Sequence, residues 1–475
     1  RNLSPSDTIG LPIAMLRTPM PFKRPNAHAL FRVLLCLPLL FACEERPMTE
    51  VAVGNSLTLE DIFAEKAYEP EEPGAIKWLA DGTGYTTLET NPAYEDAEPE
   101  KDADGEDIKA PEDIVIYDPE TLNSSVLISI EQLTPDGAER ALVVDDYAWS
   151  DDRSKLLIYT NSKKVWRQKS RGDYWLLNLD DDSLFQLGGE DAAPSTMQFA
   201  KLSSDGSRVA YSRAGVVYVQ ELDDRSIRQV SEDASGNIIN GIMSWAYEEE
   251  FQIRDGFRWS PDGRSIAYWQ FDTSGVRDFL LINNTDELYP TTTRIPYPKV
   301  GETISAARVG VVSADGGDTV WVQLPGDPRQ MYVPRMDWAN NSEQLLVQHL
   351  NRKQDTNTVY LASAETGAVT PVLVEEELHY IEDVVDVSWL EDADEFLWLS
   401  ERSGWRHIFR VSRDGETVLD LTPGDFDVVE VVKVDQGGAV VYFTASPEHM
   451  EQRFLYRAPL AGDGPMQRIT PESFA

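Results

Sequence analysis

Residues 259–268 read Trp259-Ser-Pro-Asp-Gly-Arg-Ser-Ile-Ala-Tyr268, a turn followed by an apolar run. Asp-Gly supplies the positive φ that a tight hairpin needs, and Ile-Ala-Tyr supplies a buried strand. The unit recurs. It stands as Trp78-Leu-Ala-Asp-Gly82, Trp149-Ser-Asp-Asp-Arg-Ser-Lys-Leu-Leu-Ile-Tyr159 and Leu202-Ser-Ser-Asp-Gly-Ser-Arg-Val-Ala-Tyr211. Later copies begin at Trp338 and Trp389, with a weaker one over Val434–Tyr442. Starts are 45 to 79 residues apart, the size of a four-stranded unit. Repeats of that size with Asp-Gly hairpins predict an all-β fold, a β-propeller. One such sheet cannot bury its own faces, so it must stack on its neighbours. About seven blades are legible within residues 67–475.

The longer gaps mark insertions, which in propellers gather on the faces and rims where ligands bind. One is the acidic stretch Glu95–Glu112. Another separates the copies that start at Leu202 and Trp259, and it holds Asn240-Gly-Ile-Met-Ser-Trp-Ala-Tyr-Glu-Glu-Glu-Phe251. Here Glu248, Glu249 and Glu250 follow Trp245 and Tyr247 and precede Phe251. Adjacent like charges repel, so by residue chemistry alone the triplet reads as a solvated acidic turn. The large apolar neighbours point instead to a segment pinned against protein. Carboxylates held that way form a receptor for an ammonium group, which offers three donors to acceptor-only oxygens.

Charge is compatible with a cationic guest, although an acidic excess more often serves only solubility. The chain has 42 basic and 82 acidic residues, a net charge of −40. That field repels phosphate backbones, which argues against a nucleic-acid partner, and attracts peptide amino termini. With 12 Trp and 18 Tyr the chain is too aromatic to be disordered. Cys36 and Cys43 both lie near the N-terminus, so the body of the chain has no disulfide framework or thiolate metal site. The histidines, at 28, 349, 379, 407 and 449, lack metal-ligand spacing, and neither a metal nor a cofactor is expected.

The chain begins with Arg1, and Met15 and Met20 are candidate starts. Lys23, Arg24 and Arg32 precede the apolar run Val33–Ala42, which is too short for a stable span and fits a signal-peptide core. The run ends Leu40-Phe-Ala-Cys43, which resembles a bacterial lipobox and makes Cys43 a candidate lipidation site. The alternative is an ordinary secretory signal cleaved nearby. Either one exports the protein to the cell envelope or periplasm, with membrane contact only through a lipid. Residues 1–43 are therefore expected to be an export segment, and 44–66 a linker and short helix. In Leu57–Lys66, Thr58 and Asp61 are placed for a capping box, and Leu59, Ile62 and Phe63 share a face.

Several stretches together resemble one family. Asn240-Gly-Ile-x-x-Trp-x-Tyr-Glu-Glu-Glu250, Trp259-Ser-Pro-Asp-Gly263 and Arg294-Ile-Pro-Tyr-Pro-Lys299 are similar to the dipeptidyl peptidase IV branch of the prolyl oligopeptidase superfamily, its bacterial members most of all. Trp166-Arg167, Pro334-Arg-Met-Asp-Trp-Ala-Asn-Asn341 and Ser400-Glu-Arg-Ser-Gly-Trp-Arg-His407 add to the match, which runs from about Leu57 to the end. The resemblance implies an eight-bladed propeller over an α/β-hydrolase domain that carries a Ser-Asp-His triad. It implies that Glu249 and Glu250 bind a substrate's free α-amino group and that Arg167 binds a backbone carbonyl. Tyr247, Glu248 and Trp245 would support them. It further implies release of N-terminal dipeptides with Pro or Ala second, and homodimers of the full-length protein.

The chemistry agrees with that implication. An α-amine has a pKa near 7.7–8.0 and suits a carboxylate pair at neutral pH. Two extended residues span roughly 7 Å, so a clamp at that distance from a nucleophile measures off a dipeptide. No Gly-x-Ser-x-Gly elbow occurs in the sequence. The expectation is a piece holding the signal, the short helix and a propeller about one blade short, inactive without the hydrolase domain. The helix at Leu57–Lys66 would then be poorly anchored. Two other readings stand beside this one: a non-catalytic envelope propeller that binds peptides or proteins, and a sister peptidase with other substrates, against which the Glu pair argues.

Overall fold

The computed structural model describes residues 58–64, 68, 76–94, 100–101, 107–189, 192–381, 384, 387–391, 394–448 and 451–471. The chain divides into two units, residues 1–72 and 73–475. The export segment and Cys43 lie outside the described residues. Of the expected helix, Glu60–Ala64 is described as helical. Its capping box forms: Asp61 N–H donates to Thr58 Oγ1 at 3.0 Å, and Thr58 N–H donates to Asp61 Oδ2 at 3.3 Å. Leu59, Ile62 and Phe63 are all exposed.

The second unit is all-β, as the repeat predicts. Its described residues form a succession of antiparallel meander sheets over residues 77–128, 146–186, 197–229, 238–321, 331–376, 388–420 and 428–468. They are called the first to seventh sheets below. The second and third also touch edge to edge through one pair, Met197 with Gly172.

Strand alternation explains why the sheets stack. Successive residues of a strand point to opposite faces. Along Ser265–Asp272, Ile266 and Tyr268 enter the core shared with the third sheet, while Ala267, Trp269 and Phe271 enter the core shared with the fifth. Leu156 and Ile158 pack toward the first sheet and Leu157 toward the third. Leu345 and Val347 pack toward the fourth sheet and Leu346 toward the sixth. Each neighbouring pair of sheets shares one apolar cluster. The blade-like stacking expected from the sequence is therefore the way this unit is held together.

The repeated turn has its own chemistry. Ser150, Ser203 and Ser260 each donate Oγ–H to the Asp two residues on, at 2.7, 2.6 and 2.6 Å. That Asp accepts the N–H of the residue two further on, at 2.9 Å from Ser154, 3.0 Å from Ser207 and 3.1 Å from Arg264. Gly206 and Gly263 hold φ of 64° and 67°, as the Asp-Gly pattern requires. In the fifth sheet Asn341 takes the same place, accepting from Glu343 and Gln344 N–H at 2.9 and 2.8 Å.

These bonds stabilise the ionised carboxyl. The Ser150 hydroxyl, then the Ser154 N–H, hold Asp152 at about 2, below its ordinary 3.8. A carboxyl depressed in the fold contributes stability that is complete above the ordinary value and is lost as pH falls through the lowered one. The urea midpoint should therefore fall as pH drops from about 4 to about 2. Asp152→Asn should lessen that fall and change the midpoint little at neutral pH, because Asn341 serves the same turn as an amide. An acid slope identical in the variant would contradict this origin.

Candidate functional site

The site is built from two departures from the repeat. The first is a long hairpin in the second sheet, Lys155–Val165 with Gln168–Asn178. Its strands have 11 residues each, against 6 in the matching hairpin of the third sheet. Register slips around Lys163 twist the extension. Val165 pairs with Gln168, leaving Trp166-Arg167 as a two-residue tip, with Trp166 at φ 56°.

The second departure is the helix Trp245–Glu250, placed between the strands Ile238–Ile242 and Asp255–Trp259 of the fourth sheet. A helix this short is not stable by itself, and its N-cap Ser244 makes no capping bond through its side chain. Packing holds it. Tyr247 is buried, with ring contacts to Phe271 at 4.6 Å and to Phe251 at 5.4 Å. Its phenol oxygen accepts the Val333 N–H at 2.9 Å. Burial pushes the Tyr247 phenol well above its ordinary range, so it stays neutral. On another side Trp245 lies 3.9 Å from the Tyr297 ring, centroid to centroid.

The turn of 3.6 residues per winding then sorts the three glutamates. Glu248 is buried and faces protein, 3.5 Å from Arg254. Burial raises its carboxyl, Arg254 opposes the rise, and Glu249 adds to it. Glu249 is partly exposed, and its Oε1 lies 2.8 Å from Arg167 Nη2. Glu250 is exposed and borders a cleft lined also by Trp245, Phe251, Lys299, Tyr332, Arg352 and Tyr380. The structure thus brings Arg167 and Glu249 into contact across two sheets, turns Glu248 inward and sets Glu250 on the cleft. What results is a pair of outward carboxylates on an anchored helix, with one exposed arginine against Glu249. Arg167 is largely exposed, at 77% of its side chain. Such a pair is worth about 0–1 kcal/mol, so an incoming ammonium can compete for the carboxylate.

Three contributors are absent from the sequence-based set. Arg254, the partner of Glu248, stands four residues beyond the triplet, where a lone base after three acids is the available signal. Tyr332 and Arg352, which pair with each other, carry none: they reach the cleft only because the fifth sheet stacks on the fourth. Among the described residues no group of three or more His, Cys, Asp or Glu side chains is placed to hold a metal.

Tyr247→Phe keeps the ring packing and removes the acceptor for a buried N–H. It should lower stability by about 1–3 kcal/mol. Arg167→Ala should cost less than about 1 kcal/mol. Urea unfolding of the two variants checks the order, and a larger loss from Arg167→Ala would contradict this account of what holds the helix.

Comparison with known proteins identifies a family for the chain. Residues 150–475 match the family described as the dipeptidyl peptidase IV N-terminal region. A probable dipeptidyl peptidase 4 of Arthroderma benhamiae is 25% identical over 323 residues, covering 66% of this chain and 41% of that protein. A probable dipeptidyl-aminopeptidase B of Chaetomium globosum is 27% identical over 448 residues, covering 86% and 46%. The inactive dipeptidyl peptidase 10 of Mus musculus is 26% identical over 340 residues, covering 66% and 41%. The crystal structure of Porphyromonas gingivalis dipeptidyl peptidase 4 superposes with a TM-score of 0.75 at 22% identity, covering 87% of this chain and 55% of that one. The chain spans less than half the length of these relatives matched by sequence.

Proposed function

The chain belongs to the family of dipeptidyl peptidase IV N-terminal regions, and on that premise we propose that it is the propeller of an exported serine exopeptidase that releases N-terminal dipeptides. The supporting observation is the 2.8 Å contact between Arg167 and Glu249. Two residues from different sheets, assigned to one substrate, stand side by side. In this reading Glu249 and Glu250 hold the α-ammonium of a peptide. The amine then displaces Arg167 from Glu249, and the freed guanidinium donates to a backbone carbonyl of the same peptide. Each such charge-assisted bond contributes about 1.5–3 kcal/mol.

Fixing the amine also sets how far the chain reaches toward a nucleophile. Two residues cover roughly 7 Å, so the bond after the second residue is the one presented. The triad, the pocket that selects Pro or Ala, the homodimer and a lipid on Cys43 belong to the full-length protein in this reading. No metal or cofactor takes part in it.

A second reading, a propeller that binds peptides without cleaving them, is favoured by one comparison: a relative called inactive is as similar as those called peptidases. The two readings separate in the full-length protein. The exopeptidase should release dipeptides from Gly-Pro substrates. Glu249→Gln and Glu250→Gln should each lower kcat/KM by about tenfold to a hundredfold, the worth of one charge-assisted bond. Unchanged kcat/KM in both variants would sink the clamp, and absence of any dipeptide release by the parent would favour the binding propeller.

A further inference from the structure

Arg254 stands four residues past the glutamate triplet, and the chain brings it back to the helix. The reversal is made at Gln252, whose φ is 54°. Gln252 Nε2 donates to the Glu249 carbonyl at 2.6 Å, and the Ile253 N–H donates to the Tyr247 carbonyl at 3.4 Å. Arg254 Nε then lies 3.5 Å from Glu248 Oε1.

The backbone under Arg254 is fixed. The next residue, Asp255, opens the strand Asp255–Trp259 and meets Lys201 Nζ at 2.7 Å and Arg258 Nη1 at 2.6 Å. Lys201 belongs to the third sheet and also donates to the Phe257 carbonyl at 2.7 Å. The two arginines that meet the triplet therefore differ. Arg167 sits on a two-residue hairpin tip with 77% of its side chain exposed. Arg254 is 31% exposed and leaves a strand end tied across two sheets.

We propose that Arg254 is a positioning residue for amine capture, holding Glu248 inward so that Glu249 and Glu250 stay outward, an inference that rests on those two being the clamp. A carboxylate taken out of water is costly without a partner. Burial already raises the Glu248 carboxyl, and Arg254 opposes the rise. Without Arg254, Glu248 gains by turning to water, and rotation of the six-residue helix to that end carries Glu249 and Glu250 with it. Coulomb attraction alone predicts the reverse, since deleting a cation beside the clamp favours an incoming ammonium. The sign of the change separates positioning from charge.

The test is calorimetric titration of the chain with a Gly-Pro peptide at neutral pH, with the N-acetylated peptide as control. Arg254→Met is expected to weaken binding about tenfold or more, and Arg254→Lys to weaken it less. Adding Glu248→Gln to Arg254→Met should restore the affinity to within about threefold of the parent, because a neutral amide needs no cation there, whereas a loss due to packing alone would persist in the double variant. Thermal melting checks the fold of each variant. Should Arg254→Met alone fail to fold, a double variant that folds and binds supports the role, and one that also fails to fold overturns it. Unchanged or tighter binding by Arg254→Met, or a double variant as weak as Arg254→Met, overturns the positioning role and leaves the clamp standing. A parent that binds both peptides alike, or neither, overturns the clamp and the positioning role with it.

Discussion

A buried hydrogen bond, from the Val333 N–H to the phenol of Tyr247, helps tie the helix Trp245–Glu250 to the fifth sheet. The helix belongs to the fourth sheet by sequence, so the bond crosses the apolar core between two sheets. Six residues of helix with an uncapped N-terminus have no stability of their own. Anchored by Tyr247, they become a rigid mount for charge. The carboxylates of Glu249 and Glu250 stay outside, and the large aromatic surface that holds them stays inside. Repulsion within the triplet is tolerated because Glu248 is drawn away toward Arg254.

The wider fold makes such an anchor available. Among the described residues, each apolar cluster is shared by two neighbouring sheets. A strand such as Ser265–Asp272 serves two cores by alternation alone. Segments inserted at strand ends can then reach the adjacent sheet without breaking the stack. The long hairpin of the second sheet reaches past its neighbour, and its tip meets the helix of the fourth sheet at Glu249. A site assembled from two insertions can vary while the stacked sheets remain as they are.

The fold was legible in the sequence because its signal is repeated. Trp259-Ser-Pro-Asp-Gly carries both the turn chemistry and the strand that follows, and Ser150, Ser203 and Ser260 show the same bond to the Asp two places on. The pinning of the glutamates was legible too, from Trp245, Tyr247 and Phe251 around them. That the pinned segment is a helix was not. Six residues are too few for a helical period to show, and Ser244 makes no cap bond through its side chain. A supporting role for Glu248 was implied only by family resemblance, and so was the assignment of Arg167 to the site; the inward turn of Glu248 was not legible. Tyr332 and Arg352 left no local trace at all, because stacking of the fifth sheet on the fourth brings them there.

The claim at the centre is that an anchored pair of carboxylates grips a peptide's amino group. The most direct measurement is the affinity of this chain for a Gly-Pro peptide against that of its N-acetylated twin, which differ only in the ammonium charge. The account predicts measurable binding of the free amine, weakened about tenfold or more by acetylation. Equal affinity for the two peptides would contradict it.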